Sequence, residues 1–459
     1  MRHPTRHPLP AVVHCCAAGL LGALLALVVA PPPVMAQAAA TTTLHRDIDR
    51  RVQAVTAKVV AWRRDIHPHP ELSNRELRTA RLVAEHRRAL GLEVRTGVAR
   101  TGVVGVLRGG RPGPVVALRA DMDALPVTEE VKLPFSSRVT AEYNGQQVGV
   151  MHACGHDAHT AMLMGAAEVL AGMRAQLPGT VVFVFQPAEE GAPPGEEGGA
   201  DLMVREGVLD RPKVDAIFGL HVLPFPRGEI RWRAGGIMAS ADRLEIKIHG
   251  RQTHGALPWD GVDPVVVAAQ MIMALQTITS RQMDLTTAPV VVSIGRVQAG
   301  VRYNIMPDQV LLEGTIRALD EDMRRALHER IRRTVQHVAQ ASGARAEVVI
   351  EGAADVTYNN PALVEQMLPT LQRVAGKAIV QALPATTAED FSEYQKKVPG
   401  MFFFLGITAP GTKPVVNHSP RFVVDEAAMP VGVRALAHLA VDYLSSPRPP
   451  RKPGQRPGR

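Results

Sequence analysis

The chain has 459 residues, 46% of them hydrophobic and 21% charged, an ordinary globular composition with material for more than one domain. Its net charge of +8 is concentrated at the ends, with five basic side chains in the last fifteen residues and two in the first ten. The body between is close to neutral, which argues against a nucleic-acid partner.

The N-terminus, MRHPTRHPLPAVVHCCAAGLLGALLALVVAPPPVMAQ, has a basic head, an apolar stretch over 11–30 and small residues before Gln37. This layout predicts a signal peptide over 1–36 with cleavage after Ala36, and hence a periplasmic or secreted protein. An uncleaved membrane anchor is the alternative. The mature chain would keep one cysteine, Cys154, and a single thiol excludes an internal disulfide. No other stretch is apolar and long enough to span a membrane, so no stable membrane association is expected after cleavage.

From 44 to 235, helical patterns alternate with short β-branched runs: VVGVLRG, VVALRA, TVVFVFQ and AIFGLHV. Near-continuous apolar strands between helices predict an α/β fold with a mostly parallel sheet covered on both faces. Ligands of such sheets gather at the carboxyl ends of the strands. VVALRA runs there into Asp121 and Asp123, TVVFVFQPA into Glu189 and Glu190, and AIFGL ends at His221. From 236 to 352 the order becomes β-α-β-β-α-β, an inserted ferredoxin-like α+β unit. The first pattern returns over 353–445 with the strand GMFFFLGI, the loop NHSPRF and a last helix. Residues 446–459, rich in Pro, Gly and Arg, predict a disordered basic tail, a solvated segment rather than a binding arm.

The stretch MHACGHDAH places Cys154 and His156 in a loop entering a helix. With Glu189, Glu190, His221 and His418, the last in VNHSP, it assembles thiolate, imidazole and carboxylate donors suited to zinc or a similar divalent ion. Each group alone is weak, since paired glutamates are usually a solvated face and strand-end histidines usually satisfied. Together they fall at the strand ends or strand-following loops of one sheet. Five donors exceed one tetrahedral site, and two ions ~3.5–4 Å apart are the usual arrangement for amide hydrolysis by an activated water. Of two adjacent carboxylates, one can hold metal while the other takes a proton. His152, Asp157 and His159 are expected to be structural.

In order and spacing, MHACGHDAH, FQPAEEGAPPGEEGGA, GLHV, GRQTHGALPWDGVDP, AEDFSEY and VNHSPRF resemble the aminoacylase family of dinuclear metallopeptidase-like amidohydrolases, nearest to hippurate hydrolase and indole-3-acetyl-amino-acid hydrolase. The likeness covers roughly residues 50–445 and implies a zinc-peptidase-like catalytic domain with an inserted lid and dimerisation domain. It implies two divalent metal ions per subunit, zinc or manganese, with cobalt or nickel also accommodated by such donors. Cys154 would bridge them, His156 and His221 complete one set of ligands, and Glu190 and His418 the other. Glu189 would be the general base, and Asp123 an orienting group behind a ligand. His254 would cross into a partner subunit's site to stabilise the oxyanion, so a homodimer is implied. Asn304 and Arg317 would hold the free carboxylate of an N-acyl-amino acid, with an N-acetyl, N-benzoyl or indole-acetyl group. The segment LPATTAEDF departs from the subgroup's glycine-containing pattern, and Thr386 and Thr387 are expected to narrow or repolarise the acyl side of the pocket. The rivals are a dipeptidase or exopeptidase of the same fold, a binder of acylated amino acids that does not cleave them, and a metal store. The store leaves the paired glutamates and the lid unexplained.

Overall fold

The computed structural model describes residues 33–446, with side chains from Thr42 onward. The signal segment expected over 1–36 lies outside the described residues up to residue 32, as does the basic tail from 447. The chain divides into a short unit, Met1–Ala40, and a body, Thr41–Arg459. Among the described residues, no helix is long and apolar enough to cross a membrane.

Helix α1 (Pro33–Ile66) buries Ile48, Val52, Val55 and Val59 along one stripe at helical spacing. Helix α2 (Leu77–Ala89) and strands β1 (Glu93–Val98), β2 (Gly102–Arg108) and β3 (Arg111–Asp121) follow. A hairpin of β4 (Thr140–Tyr143) and β5 (Gln146–Gly149) precedes α3 (His156–Ala171), β6 (Pro178–Gln186), α4 (Gly199–Arg205), β7 (Ala216–Pro226), β8 (Ile230–Trp232) and β9 (Gly235–Met238). Next come β10 (Ala241–His249), β11 (Thr253–His254), α5 (Pro264–Arg281), β12 (Val290–Ala299), β13 (Ile305–Met306), β14 (Gln309–Ala318), α6 (Glu321–Ala341) and β15 (Arg345–Ala354). The chain ends through β16 (Thr357–Asn359), α7 (Pro361–Ala375), β17 (Ile379–Gln381), α8 (Ser392–Gln395), β18 (Gly400–Thr408) and α9 (Met429–Ser445). Three helix starts carry an acidic or amide cap that the sequence supplies. Asp263 accepts from Val265 and Val266 N, Asp320 from Met323 N and Asn360 from Leu363 N. Pro264 and Pro361 sit just inside two of them, where a missing N–H costs nothing.

The large sheet has the order β1-β2-β6-β3-β7-β18-β8-β17. Its centre, β6-β3-β7-β18, is parallel, as the apolar runs predict. The β1–β2–β6 edge is antiparallel, and so is β8 against β18. Both faces are buried. Phe183 and Phe185 join the core under α1, α3, α7 and α9, while Val182 and Val184 face the opposite cluster with Met203, Phe391 and Phe402.

The second sheet, β12-β14-β10-β15, is wholly antiparallel and has the strand order of a ferredoxin-like unit. Leu244, Ile246 and Ile248 of β10 face α5 and α6. The alternate residues Arg243 and Glu245 lie on the other face, where Arg243 pairs with Glu313 at 2.8 Å. Strands β9 and β16 pair with each other, Met238 opposite Thr357, where the chain leaves for this sheet and returns from it.

Candidate metal centre and active site

The residues of the proposed site come from five places around the carboxyl ends of the parallel strands. Asp121 ends β3 and Asp123 follows it, Glu189 and Glu190 follow β6, and His418 lies in the loop after β18. His221 differs from the expectation. It lies inside β7, opposite Phe404, because that strand runs on to Pro226. Cys154 and His156 flank Gly155, which has φ +95° and caps α3. A Cβ at Gly155 would come within 2.4 Å of Val222 Cγ2, so only glycine lets this loop lie against β7.

Cys154 Sγ lies 3.3 Å from His221 Nε2, and His221 Nδ1 is 2.8 Å from the Val222 carbonyl, which it reaches as donor. His156 Nδ1 lies 3.2 Å from Asp123, while its buried Nε2 has no hydrogen-bond partner among the described residues. Asp123 also accepts from Ser73 Oγ at 2.8 Å and from Glu190 N at 3.1 Å, so one carboxylate orients a histidine and the Glu190 backbone together. His418 Nε2 is 3.0 Å from Glu190. Donor atoms of Cys154, His156 and His221 lie within 4.8 Å of one another, as do those of Cys154, Glu190 and His418. The two triads share Cys154. With the orphaned His156 nitrogen, this donor set fits a pair of divalent cations. Burial pushes the Cys154 thiol up to about 12 and holds His221 well below the ordinary histidine value. A buried thiolate here needs a cation beside it.

Glu189 is nearly enclosed, with 9% side-chain exposure, and 3.9 Å from His156 Nε2. Burial first, then the Glu389 and Glu190 carboxylates, raise its pKa well above the ordinary range. Behind it stands a group that motif reading leaves without a role. Fully buried Arg119 donates to Asp121 at 2.8 Å, Glu389 at 2.8 Å, Asp390 at 3.0 Å and Gln186 at 2.8 Å. The signal was an arginine within the apolar run VVALRA, which no core strand carries without partners.

Of the residues expected to be structural, His159 and Asp157 are held by partners within the fold. His159 bridges Asp121 at 2.6 Å and the Val222 N–H at 2.8 Å. Asp157 pairs with Arg63 at 3.0 Å and His67 at 2.8 Å. His152 is buried, and among the described residues neither of its ring nitrogens is hydrogen-bonded, so no partner fixes its role.

Arg317 lines a cavity of about 440 Å³ together with Cys154, Glu189, Glu190, His221 and His418. Among the described residues it forms no ion pair, although the charge of Asp242 acts on it. Asn304 and His254 do not line this cavity. They sit together on the β11–β13 ribbon, where His254 pairs with Ile305 and Gly255 N donates to Asn304 O at 2.9 Å. Thr387 lines the cavity and Thr386 does not.

The model of peptidase family M20/M25/M40 matches residues 117–442. The chain is 41% identical to thermostable carboxypeptidase 2 of Saccharolobus solfataricus, over 85% of this chain and 97% of that protein. It is 39% identical to the N-acetylcysteine deacetylase of Bacillus subtilis, over 86% of this chain and 99% of that one. A Bacillus subtilis structure described as a dinuclear metal-binding peptidase of the M20 family superposes with a TM-score of 0.72 at 38% identity, covering 85% of this chain and 99% of the other.

Proposed function

Because the chain belongs to peptidase family M20/M25/M40 and is a metal-dependent hydrolase, we propose that it cleaves the amide of N-acyl-amino acids with a free carboxylate. The observation that carries this reading is the pair of donor triads sharing Cys154, with Glu189 and Arg317 in the same cavity. Cys154 would lie between two divalent ions, with His156 and His221 on one and Glu190 and His418 on the other. Such ions, when bound, lower the pKa of water and polarise the scissile carbonyl.

The chain's own groups do the rest. Arg317 holds the substrate carboxylate, which fixes the amide beside Glu189. Glu189 takes a proton from the attacking water as oxygen bonds to the carbonyl carbon. It returns that proton to the nitrogen as the C–N bond breaks, giving a carboxylic acid and an amino acid. His254 and Asn304 share one ribbon away from this cavity, so they would enter the site of a second subunit together, His254 facing the developing oxyanion. Support for a homodimer comes from the exposed edge strand β12 and from apolar side chains left open on the same unit. Met273 is 69% exposed, Trp259 73% and Val301 98%. The basic, apolar N-terminus supports export to the periplasm or beyond.

The test is hydrolysis of N-acetyl, N-benzoyl and indole-acetyl amino acids and of peptides, after chelation and after return of zinc, manganese or cobalt. Metal-restored cleavage of the acyl-amino acids is the expected result. Cleavage of peptides alone would move the assignment to carboxypeptidase, the second reading, which the thermostable relative favours. Replacing Cys154 with alanine should cost bound metal. A variant that keeps two tightly held ions would refute its bridging place.

A further inference from the structure

A second cavity, also about 440 Å³, adjoins the catalytic one at Glu190 and Gly191. Its walls are the 70–75 loop, the β4–β5 hairpin and the 190–194 loop. The lining is mostly apolar, with Leu72, Leu125, Pro126, Val139, Val150 and Pro193 among its residues. Three of its polar lining residues, Glu71, Ser73 and Arg75, are already engaged within the protein. Glu71 accepts from Arg78 N at 2.8 Å and Thr79 N at 2.9 Å, and Ser73 donates to Asp123 at 2.8 Å. Arg75 donates to Glu196 at 2.6 Å. At the rim Tyr143 remains 40% exposed, carried on a tight turn in which Asn144 has φ +50° and Gly145 φ +74°.

We propose that this cavity is the acyl subsite and that it takes an apolar acyl group, aromatic or of medium chain length. The inference rests on the amidohydrolase reading above. The scissile amide must lie at Glu189 and the metal ligands. The amino-acid half turns toward Arg317, so the acyl half leaves through the cavity that shares Glu190. A space of this size lies within the usual range for small-molecule pockets, roughly 300–1,000 Å³. An acetyl group would leave most of it to water, whereas an apolar chain or ring would displace that water from the apolar walls. This division also moves Thr387 from the expected acyl side to the amino-acid side, with Arg317.

The test compares N-acetyl-, N-butanoyl-, N-hexanoyl-, N-octanoyl- and N-benzoyl-alanine, in wild type and in Ala141→Trp, which fills the cavity from the hairpin. In wild type kcat/KM should rise roughly three- to fourfold per methylene until the cavity is full. Ala141→Trp should lower hexanoyl, octanoyl and benzoyl turnover by about tenfold or more, with acetyl held within about twofold. Tyr143→Ala, at the exposed hairpin tip, should lower benzoyl turnover more than acetyl, and it serves if the tryptophan variant does not fold. A flat wild-type profile overturns the subsite alone, and so does an equal fall of acetyl and octanoyl in both variants. No cleavage of any acyl-alanine overturns the amidohydrolase reading and the subsite with it.

Discussion

The large sheet buries both faces, carries Glu190, His221 and His418 in or beyond its strands and has the Cys154–His156 loop packed against β7, while the second sheet buries one face under α5 and α6. Its other face is an ion-paired surface, with Arg243 and Arg296 both on Glu313. The contrast separates two physical demands. Holding donor atoms within a few ångströms needs backbone that cannot shift, and a sheet packed on both sides supplies it. Meeting a partner needs a free edge and uncovered apolar groups, and the second unit offers both, with β12 at its edge and Trp259, Met273 and Val301 exposed.

The largest expected effect attacks the first sheet's chemistry. Glu189→Gln should lower turnover by about 10²–10⁴-fold while bound metal, measured by elemental analysis, stays unchanged. Turnover close to wild type would end its assignment as base. Next comes the second sheet's contribution. His254→Ala should lower kcat by about 10²-fold, and mixing its subunits with Glu189→Gln subunits should restore activity, because one hybrid site would then hold both residues. If the mixture stays as inactive as its parents, the crossing histidine is wrong.

Smaller effects are on stability. Ile246→Ala empties the second sheet's single core and should cost about 2–5 kcal/mol in denaturant unfolding. Metal content in the folded protein should not change, and a loss of metal would show that the two sheets are not separable. The smallest effect is electrostatic and belongs to the first sheet's helical layer. Burial opposes ionisation of Asp442, yet hydrogen bonds from His45, Thr370 and Arg373 bring it down to about 2. Its unfolded value is near 3.9, so ionised Asp442 adds about 2 kcal/mol above pH 4, lost as pH falls through 2. Asp442→Asn should therefore destabilise at pH 6 and much less at pH 2, where a difference of the same size would refute the shift.

Most of the donors that the fold brings together were legible because each sits in a short polar motif that interrupts an apolar run, and such interruptions cost energy unless they are used. Gly155 was visible as a spacer, but its reason, the approach of Val222, belongs to the packed structure. Arg119, Glu389 and Asp390 were not assigned, because their partners are up to 271 residues apart and periodicity carries no long-range pairing. The antiparallel edge strand β1 was missed because its turn uses Ala99 and Arg100 at φ +48° and +78°, without the glycine or asparagine that marks such a turn. The β4–β5 hairpin did carry that mark, Asn144-Gly145, in a stretch with little apolar alternation to draw attention to it. Arg317 and Asn304 were paired by the family resemblance, and tertiary structure puts one in the cavity and the other on the ribbon beside His254.

Strands β9 and β16 lie side by side, Met238 facing Thr357, so the chain departs for the second sheet and comes back at nearly one point. A segment joined at one point is a modular unit. It can be lengthened, exchanged or removed without rethreading the strands of the large sheet, as long as a short turn closes the gap between 238 and 357. The hydrolytic body and the inserted unit can therefore diverge at different rates, the body alone being bound to its chemistry.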